Sequence, residues 1–142
     1  MDIQISFDAR DPAALAAFWS AAPGYVSQPP PEGFETWDAW ADSAGVPEER
    51  RSDWAAAVDP GEGRPRLYFR RVPEGKTAKN RVHLDLNVGG PSGTPPEERR
   101  RRVAAEAERL VRLGATEVRT AEEHGEYWTV MTDPEGNEFC LQ

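Results

Sequence analysis

The sequence predicts an α+β protein in which the order strand, helix, three strands occurs twice in tandem. Three observations carry this prediction. Apolar residues alternate in some segments and recur every three to four positions in others, so strands and helices are interspersed. Residues 3–12 align without a gap on residues 82–91. Residues 54–63 resemble residues 128–137 in the same order, each with a tryptophan five positions before an Asp-Pro pair.

The repeat predicts two βαβββ modules, the first at about 1–72 and the second at about 80–142, within a single domain over 1–142. A length of 142 residues is typical of one domain with one core. The first module carries an insertion at 29–51, which opens with a proline run and contains Trp37 and Trp40.

The first module begins with an alternating strand at 3–9. Asp11 offers a helix N-cap and Pro12 the first helical position, and Gly24 can end the helix. The apolar and aromatic residues of the insertion have helical spacing, which predicts a short amphipathic helix there. Further strands are expected at about 25–28, 54–58 and 66–72.

The second module begins with a predicted strand at 82–88. Thr94 to Glu97 has the pattern of a capping box with proline at the first helical position. The helix is expected to reach Leu113, with Gly114 as a fitting residue just past its end. The remaining strands are expected at about 116–120, 127–132 and 137–142.

Composition excludes several classes of function. The formal net charge is −8, which argues against a nucleic-acid-binding surface. The basic run Arg99–Arg102 stands among glutamates and is typical of a solvated helix face. Cys140 is the single cysteine, so no intramolecular disulfide can form. No apolar run is long enough to cross a membrane, and the acidic N-terminus does not resemble a signal peptide. We therefore expect a cytoplasmic protein.

Two segments carry a family resemblance. LYFRRVPEGKTAKNRVHLDLNVG at 67–89, together with WTVMTDPEGNEFCLQ at 128–142, closely resembles the glyoxalase-like branch of the vicinal-oxygen-chelate superfamily. FDARDPAALAAFWSAAPGY at 7–25 resembles the first helix of the family. That superfamily includes glyoxalase I, ring-cleaving dioxygenases, bleomycin-resistance proteins and fosfomycin-resistance transferases. The resemblance implies two βαβββ modules that form a curled mixed sheet around a central cavity, and dimers are frequent in the family.

The resemblance also implies metal-ligand positions on the first and last strand of each module. His83 and Glu138 fall on the two positions of the second module. In the first module, Gln4 occupies the position that aligns with His83. Imidazole, carboxylate and amide oxygen suit Zn, Ni, Fe or Mn. With the longer turn of the first module allowed for, the fourth position falls on Arg66, followed on the same face by Tyr68, and both residues are expected to line the cavity. An arginine cannot ligate a cation. The predicted divalent-metal site is therefore one ligand short.

Two functions stay open. In the first, a glyoxalase-like lyase or isomerase uses the metal as a Lewis acid, with Glu138 and His83 as catalytic residues. The alternative is a non-catalytic protein of the bleomycin-resistance type that binds a drug or metabolite without a metal. Acid–base catalysis by His83 and Glu138 without a cofactor is a third possibility. All three require a small-molecule ligand, and a homodimer is compatible with each.

The residues around the predicted cavity have ordinary structural interpretations as well. Trp37 and Trp40 are expected either as a lid or wall for an apolar ligand or as part of a helix that covers a sheet edge. Glu138 needs a metal, an arginine such as Arg66, or solvent. Cys140 is expected as a small apolar core residue, and Lys76 as a surface charge.

Overall fold

The computed structural model describes residues 2–142 of the chain. The chain divides into two compact units, one ending at Gly75 and the other beginning at Lys76. Each unit contains a four-stranded mixed sheet, and the order strand, helix, three strands occurs once in each. The predicted α+β fold class with two βαβββ modules is therefore confirmed. That the two modules make up a single domain stays a prediction.

The first unit consists of strands β1 (Gln4–Ala9), β2 (Val26–Ser27), β3 (Trp54–Val58) and β4 (Arg66–Arg71), and helices α1 (Pro12–Ala21) and α2 (Trp37–Ser43). The strand order is β1-β4-β3-β2, with β1 parallel to β4 and the other pairs antiparallel. Helix α1 begins as predicted, since the Asp11 carboxylate accepts from Ala14 N at 3.1 Å.

The core of the first unit lies between α1 and one face of its sheet. The Phe7 ring stacks on Phe69 at 5.0 Å and contacts Trp19 at 5.3 Å. Leu15 and Leu67 are also buried there. Burial of each large apolar side chain contributes about 2 kcal/mol. The opposite face carries the polar residues of β1 and β4, and it is there that the predicted ligand positions lie.

The second unit consists of β5 (Asp85–Leu86), α3 (Pro96–Arg112), β6 (Thr116–Glu123), β7 (Glu126–Thr132) and β8 (Glu138–Leu141). The strand order is β5-β8-β7-β6, with β5 parallel to β8. Helix α3 and the sheet bury a shared set of apolar residues: Val103, Ala107, Leu110, Met131, Phe139 and Leu141.

Two local predictions in the second unit were wrong. The strand expected at 82–88 is reduced to Asp85 and Leu86, because Val82 is 79% exposed and lies outside the ladder. The capping box does not form, since Pro95 is the N-cap and the Thr94 hydroxyl donates instead to the Pro91 carbonyl. Proline at both 95 and 96 removes two N–H groups and holds Pro95 in an extended conformation, so the helix begins one residue later.

The insertion at 29–51 contains the helix that its spacing predicts. The Thr36 hydroxyl caps α2 by accepting from Ala39 N at 3.1 Å. A 3-10 turn follows at Glu48–Arg50. Arg51 then ties the segment back to α2 through ion pairs with Asp42 and, at 3.6 Å, Asp38. Of the helices within residues 2–142, none has the length and apolarity that a membrane crossing requires.

Candidate functional site

The predicted ligand Gln4 lies beside Arg66 and Tyr68, two of the four residues that were expected to line the cavity. The parallel register of β1 and β4 places Gln4 opposite Arg66 and Ser6 opposite Tyr68, so these side chains share one face. Arg66 Nη1 donates to Gln4 Oε1, and its guanidinium carbon lies 5.0 Å from the centre of the Tyr68 ring. The amide oxygen predicted as a metal ligand is therefore engaged by a cation.

Trp37 and Trp40 form a cluster with a third tryptophan, Trp54 of β3. Ring centres are 5.4 Å apart for Trp37 and Trp40, 4.8 Å for Trp37 and Trp54, and 5.8 Å for Trp40 and Trp54. All three pairs are close to perpendicular, an arrangement that the ring quadrupoles favour. Trp54, the first residue of β3, is half-buried and belongs to this cluster.

The cluster stands at an edge of the first sheet. Strand β2 pairs only with Ala57 and Val58, and one further hydrogen bond joins Gln28 N to the Ala56 carbonyl. The prolines at 29–31 cannot continue the ladder, because they lack N–H groups. The chain leaves the sheet there, and α2 returns against the start of β3.

Gln28, which the sequence analysis did not select, joins the aromatic cluster to the polar face. Its side-chain oxygen accepts from Arg66 Nε at 2.6 Å, and its carbonyl accepts from Trp37 Nε1 at 2.9 Å. The available sequence signal was its place at the end of a strand before a proline run. That signal indicates a turn and carries no information about ligand contacts.

Two cavities of the first unit share Gln28. One has a volume of about 280 Å³ and is lined chiefly by α1, α2 and β3, including Trp37, Trp54 and Ala41. The other, more open, has a volume of about 540 Å³ and is lined by the proline run, Val58 and Arg66. The insertion therefore covers a sheet edge and also walls a cavity, and its role as a lid or wall for an apolar ligand stays a prediction.

In the second unit, Glu138 has two partners. Asn80 N donates to Glu138 Oε2 at 3.0 Å, and Lys76 Nζ lies 3.1 Å from the same oxygen. The Asn80 N–H and the Lys76 ammonium outweigh partial burial and lower the pKa of Glu138 to about 2. Lys76 is an exposed residue, as expected of a surface charge, but its ammonium is paired with Glu138. Glu138 is thus held ionised.

His83 contacts a different pair of residues. His83 Nδ1 hydrogen bonds to Asp85 Oδ1 at 2.7 Å, and the β5–β8 register places Asp85 opposite Cys140. A histidine nitrogen, an aspartate oxygen and the Cys140 sulfur all lie within 4.8 Å of one another. Burial, together with the charge and hydrogen bond of Asp85, raises the pKa of the Cys140 thiol. Cys140 was expected as a small apolar core residue, but it is only partly buried and lies opposite a carboxylate.

The residues at the family's metal positions do not fit a divalent cation as they are arranged. Gln4 Oε1 accepts from the Arg66 guanidinium, and Glu138 Oε2 contacts the Lys76 ammonium. Either positive charge would repel a metal ion bound to the same oxygen. The arrangement of Gln4 and Glu138 therefore does not support catalysis at a metal bound by these residues.

Comparison with known families identifies the chain. A family model described as the glyoxalase-like domain matches residues 4–142. The chain belongs to the glyoxalase-like domain family. The resemblance found in the sequence is thereby confirmed, and it extends through the insertion. No curated protein matches this glyoxalase-like domain in sequence.

Solved structures share the fold of this glyoxalase-like domain at low identity. A glyoxalase/bleomycin resistance protein/dioxygenase family enzyme from Burkholderia phytofirmans is 17% identical, with a TM-score of 0.62, over 97% of this chain and 94% of that chain. The fosfomycin resistance protein of Listeria monocytogenes, complexed with Mn(II) and a dihydroxypropylphosphonic acid, is 12% identical, with a TM-score of 0.61, over 98% and 86%. The bleomycin-binding protein of Streptomyces verticillus, complexed with copper(II)-bleomycin, is 17% identical, with a TM-score of 0.52, over 100% and 94%.

Proposed function

We propose that this protein binds a small aromatic organic anion and does so without the metal of the family's enzymes. The observation that carries this proposal is the position of Arg66, a cation that stands opposite Gln4 and donates to it. The binding alternative, rather than the metal-dependent lyase or isomerase, is therefore the function that these residues support.

Arg66 is suited to recognise an acidic group. A guanidinium binds a carboxylate or phosphonate through charge-assisted hydrogen bonds. Nε and Nη1 of Arg66 are engaged by Gln28 and Gln4, whereas Nη2 has no hydrogen-bond partner among residues 2–142. The two glutamine oxygens hold the guanidinium in place, which reduces the entropy lost when an anion binds.

The tryptophan cavity is suited to the apolar part of such a ligand. A volume of about 280 Å³ accommodates one or two rings. Trp37 and Trp54 offer faces and edges for aromatic contacts, and the Gln28 carbonyl fixes the Trp37 indole. Arg51 also lines this cavity, but its charge is neutralised by Asp38 and Asp42, so the cavity favours an uncharged ring system.

A bleomycin-binding protein shares this fold, which is compatible with the proposal. The competing lyase or isomerase requires metal ligation by Gln4, His83 and Glu138, and cations engage oxygen atoms of two of these residues. The homodimer and the cytoplasmic location remain predictions.

A fluorescent aromatic anion tests the proposal. Anilinonaphthalene sulfonate should bind the wild type with a strength that a chelator does not change. Trp37→Leu and Arg66→Gln should each weaken binding by about tenfold, since each removes one anchoring contact worth about 1.4 kcal/mol. Trp128→Leu, which removes a half-buried tryptophan of the second unit, is the matched control.

Equal binding by all four proteins would overturn the proposed site, since the probe would then bind elsewhere. Binding that requires an added divalent metal and is lost with chelator would instead support the metal-dependent alternative. Arg66→Gln remains informative if Trp37→Leu disturbs α2, because Arg66 lies on β4 rather than on the insertion.

A further inference from the structure

One group of side chains in the second unit has no part in the proposed function. His83, Asp85 and Cys140 present three atoms able to bind a metal within 4.8 Å of one another. Asp85 and Cys140 lie opposite each other on the adjacent parallel strands β5 and β8, and His83 lies two positions before β5. Imidazole, carboxylate and thiolate together are a donor set that zinc accepts.

This set differs from the one that the family resemblance implies. The implied set pairs His83 with Glu138, but Glu138 is held by Asn80 N and Lys76. Cys140 lies two positions beyond Glu138 on β8, and Asp85 lies two positions beyond His83. The strand register brings these two later residues opposite each other. Relative to the implied set, His83 is kept, Cys140 replaces Glu138, and Asp85 is added.

We propose that His83, Asp85 and Cys140 bind one thiophilic divalent cation such as Zn²⁺, independently of Glu138. Three protein ligands leave a fourth position for water. The His83 and Asp85 side chains are 42% and 38% exposed, so both an ion and that water can reach them from solvent. This inference concerns the second unit and does not depend on the anion site of the first.

Hydrogen bonding already orients the imidazole. His83 Nδ1 and Asp85 Oδ1 lie 2.7 Å apart, so the two ligand atoms already face each other. An ion bound by both atoms replaces this hydrogen bond, and the neutral imidazole then carries its proton on Nε2.

Binding exchanges one proton for the metal. In the free protein the thiol of Cys140, which lies opposite Asp85, carries a proton, since burial raises its pKa. The cation displaces that proton to solvent and forms a bond to the resulting thiolate, with no change of oxidation state. Lys79 and Arg119 lie near enough to Cys140 to favour the thiolate, and their positive charges also oppose the incoming cation. Removing one of them should therefore strengthen binding.

Titration of the reduced full chain with Co²⁺, followed by displacement with Zn²⁺, tests the site. We expect one equivalent of Co²⁺ with a thiolate-to-cobalt charge-transfer band in the near ultraviolet. Cys140→Ser should abolish that band. His83→Ala and Asp85→Asn should each weaken Zn²⁺ binding by at least about tenfold. Lys79→Gln should strengthen it.

Glu138→Gln is the matched control, and it should leave the cobalt spectrum and the Zn²⁺ affinity unchanged. Loss of binding in Glu138→Gln with retention in Cys140→Ser would overturn the proposal in favour of the family's usual ligands. Absence of any bound Co²⁺ or Zn²⁺ in the reduced wild type would also overturn it. Melting temperatures of the metal-free variants show whether each one folds.

Discussion

Cations engage one expected ligand residue in each unit. Arg66 donates to Gln4 in the first unit, and Lys76 pairs with Glu138 in the second. A cation that contacts a carboxylate or amide oxygen repels a metal ion at that oxygen and so lowers the affinity for the metal. The identity of the neighbouring residue, rather than the ligand-type residue itself, therefore decides what these positions can bind.

Each Asp-Pro turn is organised by its aspartate. Asp59 accepts from the backbone N–H groups of Gly61 and Gly63, two and four positions later. Asp133 accepts from Glu135 N at 2.9 Å and from Asn137 N at 3.0 Å, with the same spacing. The repeat seen in the sequence therefore corresponds to equivalent hydrogen bonds in the two units.

We expect Asp133→Ala to lower the free energy of unfolding by about 2–3 kcal/mol. The carboxylate is only 3% exposed, and its removal leaves buried N–H groups unsatisfied. Urea denaturation measures the change. Asp8→Ala, which removes an exposed carboxylate from β1, should change stability by less than about 0.5 kcal/mol. Similar losses in the two variants would contradict the assignment of Asp133 as the centre of its turn.

At the scale of elements, the insertion changes what the first sheet can do. A two-residue β2 leaves most of the β3 edge unpaired, and α2 packs its tryptophans against the start of β3. A helix at a sheet edge prevents the pairing of that edge with another chain. Here the same helix also encloses a cavity of about 280 Å³.

The end of α3 follows directly from its sequence. Gly114 has φ of +105°, a conformation that residues with a side chain rarely adopt. Gly114 N donates to the Val111 carbonyl and Ala115 N to the Leu110 carbonyl, both at 3.0 Å. These two bonds form a Schellman motif, and Ala115 is buried just beyond it.

We expect Gly114→Ala to lower the free energy of unfolding by about 1–2 kcal/mol, because a Cβ is strained at positive φ. The added carbon would also lie 3.4 Å from Pro134 Cγ. Gly61→Ala is the control, since the backbone of Gly61 lies outside the left-handed region and its Cβ would make an ordinary 3.6 Å contact. Thermal denaturation compares the two variants, and equal effects would refute the role of the motif.

At the scale of the whole molecule, carboxylates outnumber basic groups and the net charge is −8. Some carboxylates are nevertheless strongly stabilised in the ionised form. The Arg64 guanidinium and the N–H groups of Gly61 and Gly63 hold the pKa of Asp59 well below its usual range. The unfolded chain therefore binds this proton more readily than the folded chain does.

We predict that the free energy of unfolding falls as the pH is lowered below about 4, where an unfolded aspartate begins to protonate. The contribution of Asp59 is complete above that range and is lost towards its lower native pKa. Urea denaturation between about pH 6 and 2 should give a flatter pH dependence for Asp59→Asn than for wild type. Asp8→Asn controls for the loss of one charge, and identical profiles for wild type and Asp59→Asn would contradict the prediction.

Most elements could be predicted from local chemistry. The alternation at 3–9, the N-cap Asp11 and the terminator Gly114 each depend on near neighbours in the chain, and each has its predicted role. The strand at 82–88 failed because a strand needs a partner, and only Asp85 and Leu86 obtain one from β8. The alternation of apolar and polar residues indicates which segments can form strands. Hydrogen bonding to a neighbouring strand determines where each strand ends.

The sequence by itself determined the family, the duplicated βαβββ order and the arginine at the fourth ligand position. Only the tertiary structure assigned Lys76 to Glu138, Gln28 to Arg66, and Asp85 to Cys140. The first set depends on patterns along the chain, which periodicity and a repeat make visible. The second depends on strand register and on how a loop returns to a sheet, which place side chains from distant positions within hydrogen-bonding distance.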